Sequence, residues 1–136
     1  LLRAVRARTG VATLFVTHDL GALAPLADRV AVMYAGRLVE LAAAVELYAT
    51  PLHPYTAGLL RSLPRLDRPL PRRLPAIPGQ PPDLAQLPVG CAFAPRCPLR
   101  HERCSEAPAL RTPTAALRTV ACHFDGPAAR VSECWT

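Results

Sequence analysis

The sequence predicts an α/β fold, and three observations support this. Residues 14–16 form an apolar, strand-favouring run between two threonines, and the run leads directly to His18. Two further strand-like runs follow at 30–34 and 37–41, separated by Ala35-Gly36, where glycine can supply the positive φ of a tight hairpin. Helix-forming segments flank these strands, as expected of an α/β arrangement.

His18 lies at the carboxyl end of the predicted strand 14–16. Open α/β sheets hold their ligands at that edge, so a histidine there can donate a hydrogen bond to a phosphate oxygen. A lone histidine is more often a capping or packing residue. The local pattern leaves both interpretations open.

Four helices are predicted around the strands, over residues 1–9, 19–27, 42–49 and 53–63. Gly10 is a natural stop for the first helix. Pro25 is expected to kink the second helix or to end it early. Pro54 suits the first position of the fourth helix, and His53 before it is predicted to cap or pack, with no catalytic role.

All sixteen basic residues are arginines, and they give the chain a formal net charge of +6. This charge raises the possibility of a nucleic-acid partner, but the arginines are scattered and only Arg72-Arg73 are adjacent. Aromatic residues, which would stack on bases, make up 5% of the chain. We therefore predict a solvated basic surface and no nucleic-acid partner. A run of about 18 apolar residues, as a membrane-spanning helix needs, is absent from the sequence.

Prolines dominate residues 64–88 and predict an extended linker or wrapping arm there. Beyond it the sequence carries five cysteines, Cys91, Cys97, Cys104, Cys122 and Cys134. The spacing of the first four does not match the C-x2-C pairs of common zinc sites. If the protein is cytoplasmic, disulfides are disfavoured, and these thiols then indicate metal or cluster binding.

Several motifs together resemble the ATP-binding subunits of ABC transporters that import oligopeptides, dipeptides or nickel. The resemblance includes Val16-Thr-His-Asp-Leu20 and the A-D-R-V-A-V-M-Y-A-G-R-L-V-E run that ends at Glu40. It extends over P-x-H-P-Y-T from Pro51, L-L-R-S-L-P from Leu59 and I-P-G-x-P-P from Ile77. In all it covers residues 14–123.

The resemblance implies the C-terminal fragment of an ABC-type P-loop NTPase domain, followed by a Pro-rich arm and a small irregular extension that bears the cysteines. The corresponding boundaries are 1–63, 64–88 and 89–136. His18 matches the switch histidine, which in this family senses the γ-phosphate of ATP. The resemblance also implies ATP with Mg²⁺ as cofactor of the complete subunit.

The partners implied are a second ATP-binding subunit, in a homodimer or heterodimer, and membrane permease subunits. The location implied is the cytoplasmic face of the inner membrane, where the subunit is peripheral. ATP hydrolysis would drive uptake of peptides or of nickel. The chain lacks the G-x-x-x-x-G-K-[ST] P-loop, since it has no lysine, and it also lacks a Walker B pair and an LSGGQ signature. Alone, it is expected to be inactive as an ATPase.

The cysteine pattern C-x-F-x-x-R-C-P, followed by a further cysteine and V-A-C-H, is similar to the C-terminal region of the same family. There it implies a [4Fe–4S] cluster, with Cys91, Cys97, Cys104 and Cys122 as ligands. Zinc is the second choice and packed free thiols the third; we predict that neither His101 nor His123 replaces a cysteine. Cys134 has no counterpart, and the tail around it is predicted to be loose. An alternative function is a stand-alone Fe–S or zinc module without ATPase activity.

Overall fold

The computed structural model describes residues 2–64, 74–113, 117–126 and 128–135. Its helices and strands are α1 (Leu2–Thr9), α2 (Leu20–Leu23), β1 (Arg29–Tyr34), β2 (Arg37–Ala43), α3 (Ala44–Ala49), α4 (Pro54–Arg61), β3 (Thr119–Val120) and α5 (Ala128–Glu133). Two short 3₁₀ turns, Ala94–Arg96 and Glu102–Ser105, lie between α4 and β3. Within these ranges, no helix has the length and apolar character needed to cross a membrane.

The predicted hairpin is confirmed. Strands β1 and β2 pair antiparallel, with a bulge between Val32 and Met33. Both turn residues have positive φ, 49° at Ala35 and 75° at Gly36, as a two-residue type I′ turn requires. Strand β2 runs two residues further than expected, so α3 begins at Ala44 and not at Ala42.

The strand predicted at residues 14–16 is wrong for this structure. These residues lie in no helix or strand, and Leu14 and Val16 are 91% and 89% exposed. A buried strand needs neighbours to pair with, and no strand among the described residues pairs with this one. The predicted stop of α1 at Gly10 is confirmed, with φ of 66° there, and α2 ends at Leu23, before Pro25, as the proline suggested.

The core forms where the hairpin meets the cysteine-bearing segment. One face of β1 is buried, and α3 covers it with Leu47, which is fully buried. Phe93, from the cysteine segment, is 1% exposed at the centre of an aromatic cluster. Its ring lies 5.1 Å from Tyr34, 5.3 Å from Tyr55 and 6.3 Å from Trp135, centroid to centroid. Aromatic contacts of this kind stabilise the fold beyond the burial of apolar area alone. Because Phe93 packs against Tyr34 of β1, the segment that carries the cysteines shares one core with the hairpin.

The C-terminal extension is more regular than predicted. Strand β3 adds to the edge of β2, with Val120 opposite Glu40 and Thr119 opposite Leu41. The predicted loose tail instead forms α5, and Trp135 donates from Nε1 to the Pro54 carbonyl at 2.8 Å. An indole buries a large apolar surface and satisfies its single donor here, which explains the order of this tail.

Residues 74–88, the described part of the Pro-rich segment, contain no helix or strand. Ile77 packs against α4 so closely that a Cβ at Gly58 would lie 2.8 Å from it. The guanidinium of Arg96 donates to the carbonyl oxygens of Ile77 and Pro78, at 3.1 and 2.9 Å. These contacts join the Pro-rich segment to α4 and to the segment that carries the cysteines. Residues 65–73 lie outside the described residues.

Candidate functional site

Four cysteines, three from one segment and one from a later loop, line a single cavity. Cys91, Cys97, Cys104 and Cys122 surround it together with Phe93, His101 and His123. The cavity measures about 10 Å³, so the side chains are closely packed and anything larger than a water requires the loops to move apart. The structure thus brings together the four cysteines singled out from the sequence.

Three of these cysteines belong to one compact segment. Its ends meet where the Cys91 N–H donates to the Cys104 carbonyl at 3.0 Å. Gly90 allows this approach: its φ is 87°, and a Cβ there would lie 2.5 Å from the carbonyl oxygens of Cys104 and Ser105. The Cys97 N–H donates to the Ala94 carbonyl oxygen at 3.3 Å, at the end of the intervening 3₁₀ turn. Backbone geometry therefore fixes these three thiols relative to one another.

Cys122 comes from a separate loop that follows β3. The Ala121 N–H donates to the Val39 carbonyl at 2.9 Å, which anchors the loop to the sheet. The Phe124 N–H points at the Cys122 sulfur, 3.4 Å away. Cys134 lies outside the cavity and donates from Sγ to the Val131 carbonyl at 2.9 Å.

Burial favours the protonated form of three thiols that line the cavity, those of Cys91, Cys97 and Cys122. It raises the pKa of Cys97 to about 12, and the neighbouring Cys122, Cys104 and Cys91 add to the rise by Coulomb repulsion. Burial also raises the pKa of Cys91 and of Cys122, again with contributions from thiols across the cavity. All five cysteines are unpaired thiols. Several thiolates in this cavity would repel one another, so a cationic group is needed to stabilise them.

The two histidines of the cavity have other contacts. The rings of His101 and His123 meet edge to face, with centroids 6.4 Å apart, and His123 Nε2 lies 3.0 Å from the Glu106 carbonyl oxygen. Across the described residues, no three His, Cys, Asp or Glu side chains are arranged to hold a single metal ion.

His18, the predicted phosphate-sensing residue, is exposed and precedes α2. The turn around it is held by side-chain hydrogen bonds. The Asp19 N–H donates to Thr17 Oγ1 at 3.0 Å, and the Asp19 carboxylate caps α2 by accepting from the Ala22 N–H at 3.0 Å. The capping role therefore falls to Asp19, and the His18 side chain faces solvent.

A buried ion pair escaped the sequence analysis. The Glu40 carboxylate, fully buried, accepts from Arg118 Nη2 at 2.9 Å and from the backbone N–H groups of Leu52 and His53 at 2.8 and 3.0 Å. Arg118 also donates to the Thr50 carbonyl. The one sequence signal is an acidic residue with apolar neighbours on both sides in a predicted strand. Arg118, 78 positions away, gave no signal. The pair joins the extension to the loop before α4.

His53 is the N-cap of α4 and is 1% exposed, so the predicted capping and packing role is confirmed. Its Nδ1 accepts a hydrogen bond from the Tyr55 N–H at 3.0 Å, which requires this nitrogen to be unprotonated. Burial lowers the pKa of His53 from 6.5 to about 4. A proton on the ring would break the cap and place a charge in the core.

We expect the folded chain to lose stability as the pH falls from 6.5 to about 4. In this window the unfolded chain binds a proton at His53 that the folded chain excludes, so protonation favours unfolding. The full effect is about 3 kcal/mol. Urea unfolding followed by the fluorescence of Trp135, the single tryptophan, measures it. His53→Asn keeps a cap acceptor that does not titrate; an unchanged pH dependence in that variant would contradict the assignment.

Comparison with known proteins agrees with the resemblance seen in the sequence. Residues 39–104 match the family described as "Oligopeptide/dipeptide transporter, C-terminal region". The oligopeptide transport ATP-binding protein OppD of Mycobacterium tuberculosis (strain ATCC 25618 / H37Rv) is 54% identical over 107 residues, which cover 79% of this chain and 18% of that protein. A putative peptide import ATP-binding protein of Brucella ovis is 51% identical over 112 residues, covering 79% and 33%. OppD of Salmonella typhimurium is 46% identical over 110 residues, covering 81% and 32%.

These relatives are ATP-binding proteins of peptide transport systems, as their names state. The chain belongs to the ABC oligopeptide/dipeptide transporter ATP-binding family and carries its C-terminal region. It spans between 18% and 33% of the length of these three relatives.

Proposed function

We propose that this chain is the C-terminal part of the ATP-binding subunit of an ABC importer, in which ATP hydrolysis drives uptake of peptides. The observation that carries the proposal is the identity of 46 to 54% with ATP-binding proteins of peptide transport systems. Mg-ATP is the cofactor of the complete subunit, and His18 is its switch histidine. The subunit works as a dimer against membrane permease subunits at the cytoplasmic face of the inner membrane.

Within this proposal the chain has three parts, the end of the nucleotide-binding domain (1–63), a Pro-rich arm (64–88) and the cysteine-bearing extension (89–136). The contacts of Phe93, β3 and the pair Glu40–Arg118 support a structural role for the extension, because they tie it to the hairpin that follows the switch histidine.

Cells that lack the gene test this function. We expect them to lose uptake of a labelled oligopeptide, and to regain it on complementation with the wild-type gene. Nickel uptake, measured in the same cells, separates the two cargoes that the resemblance implied. Loss of nickel uptake alone would reassign the cargo, and normal uptake of both would contradict a role in import.

We further propose that Cys91, Cys97, Cys104 and Cys122 hold a [4Fe–4S] cluster. The donor set fits: four thiols line one cavity, and the raised pKa values of Cys91, Cys97 and Cys122 reflect burial and mutual repulsion that a cationic cluster core would relieve. In a cubane each thiolate binds a different iron, so the four sulfurs need not converge on one atom. Bound there, the cluster would link the three-cysteine segment to the Cys122 loop and add folding free energy.

Anaerobically purified protein should therefore be brown, absorb near about 400 nm and contain about four iron atoms per chain. Cys97→Ser should lose both colour and iron, because a ligand is missing. Cys134→Ser, the matched control outside the cavity, should keep both. Colourless protein with one tightly held zinc would favour the zinc alternative, and folded protein with neither metal would contradict the ligand assignment.

A further inference from the structure

Arg111 lies beside the cavity and contacts the loop that carries Cys122. Its Nε donates to the Cys122 carbonyl oxygen at 2.9 Å, and its Nη2 donates to the Phe124 carbonyl oxygen at 2.8 Å. Its backbone forms a two-way bridge with Val120, at 3.0 and 2.9 Å. Arg111 therefore contacts the Cys122 loop both before and after Cys122.

The orientation of this guanidinium is itself fixed. The Asp125 carboxylate accepts from Arg111 Nη2 at 2.8 Å and from Arg103 Nη1 at 3.4 Å. Arg103 adjoins Cys104, so the carboxylate connects the Cys122 loop to the three-cysteine segment. An arginine fork that satisfies two carbonyls and a carboxylate restricts a loop more than a single lysine contact would.

The Cys122 position needs such a contact more than the other three. Cys91, Cys97 and Cys104 are fixed by hydrogen bonds within one segment, whereas Cys122 arrives from a different loop. We propose that Arg111 is a positioning residue for the metal centre: it holds Cys122 in place as the fourth ligand and sets a positive charge beside its thiolate.

This inference rests on the proposed cluster. Arg111 has two separable roles, one through its hydrogen bonds and one through its charge. The carbonyl contacts hold the loop, and the charge stabilises the more negative, reduced state of a bound cluster. A lysine at this position keeps the charge and loses the fork, whereas methionine loses both.

The test compares Arg111→Lys and Arg111→Met with the wild type in the complete subunit, purified anaerobically. We expect Arg111→Met to release iron to a chelator about ten- to a hundredfold faster, as loss of an outer-shell partner does, and to shift the reduction potential to more negative values. Arg111→Lys should release iron faster too but keep a potential close to that of the wild type. Arg37→Met, which removes the same charge at the exposed hairpin turn, should change neither.

A second measurement does not depend on a cluster. Hydrogen exchange of the amides of residues 121–125 should speed up in Arg111→Met and stay normal in Arg37→Met. Unchanged exchange in Arg111→Met would overturn the positioning role, and an unchanged potential in a loaded Arg111→Met protein would overturn the charge role. Wild-type protein without iron would refute the proposed cluster, and the exchange data would still decide whether Arg111 holds the loop.

Discussion

His18→Ala is expected to lower kcat for ATP hydrolysis by about a hundredfold or more in the complete subunit. The reason is that a switch histidine donates to the γ-phosphate as charge develops in the transition state, and removal of one such donor costs about this much. In the structure the side chain of His18 is exposed, while Asp19 takes over the capping of α2, so the histidine is available for a ligand.

Steady-state ATPase assays at saturating ATP measure this effect. Arg37→Ala, at the exposed turn of the hairpin, is the matched control and should turn over normally. His18→Gln retains a donor of similar reach and should recover part of the rate. A turnover number for His18→Ala equal to that of the wild type would remove His18 from the mechanism.

Arg118→Met is expected to destabilise the chain by about 3 to 5 kcal/mol. The substitution leaves the fully buried Glu40 carboxylate without its cationic partner, and the cost of an uncompensated buried charge is of this order. The backbone donors of Leu52 and His53 still contact the carboxylate, but they carry no net charge. Denaturant unfolding followed by Trp135 fluorescence reports directly on the extension, because Trp135 packs against Phe93.

The double variant Glu40→Gln with Arg118→Met supplies the control for this prediction. It buries no unpaired charge, so it should be more stable than Arg118→Met alone. With the Glu40→Gln single variant it completes a double-mutant cycle, and the double-variant ΔΔG minus the two single-variant ΔΔG values gives the coupling between the two residues. A midpoint for Arg118→Met close to that of the wild type would show that the pair does not hold the extension on the hairpin.

Local patterns predicted those parts of the fold that local physics decides. Ala35-Gly36 between two apolar runs was sufficient for the hairpin, and Pro54 after His53 was sufficient for the start of α4. The failure at residues 14–16 has a different origin. Their composition is that of a buried strand, but a strand forms only with neighbours, and none among the described residues pairs with it.

The long-range features of the site could not be predicted from the sequence. Strand β3 is two residues long and depends on pairing with β2, so no local signal marks it. Arg118 and Arg111 appeared as two of many scattered arginines, and only the fold places one against Glu40 and the other on the Cys122 loop. The spacing of the cysteines matched no common zinc site, but the family resemblance implied Cys91, Cys97, Cys104 and Cys122 as one ligand set, and the structure gathers those four thiols around one cavity.

We propose that this chain is part of an ATP-driven peptide importer. Its most direct test is uptake of a labelled oligopeptide by proteoliposomes that contain the complete subunit, its permease and the binding protein. We predict uptake that requires ATP, is abolished by His18→Ala and is unaffected by Arg37→Ala. Equal uptake with and without ATP, or full uptake by the His18→Ala complex, would contradict the claim.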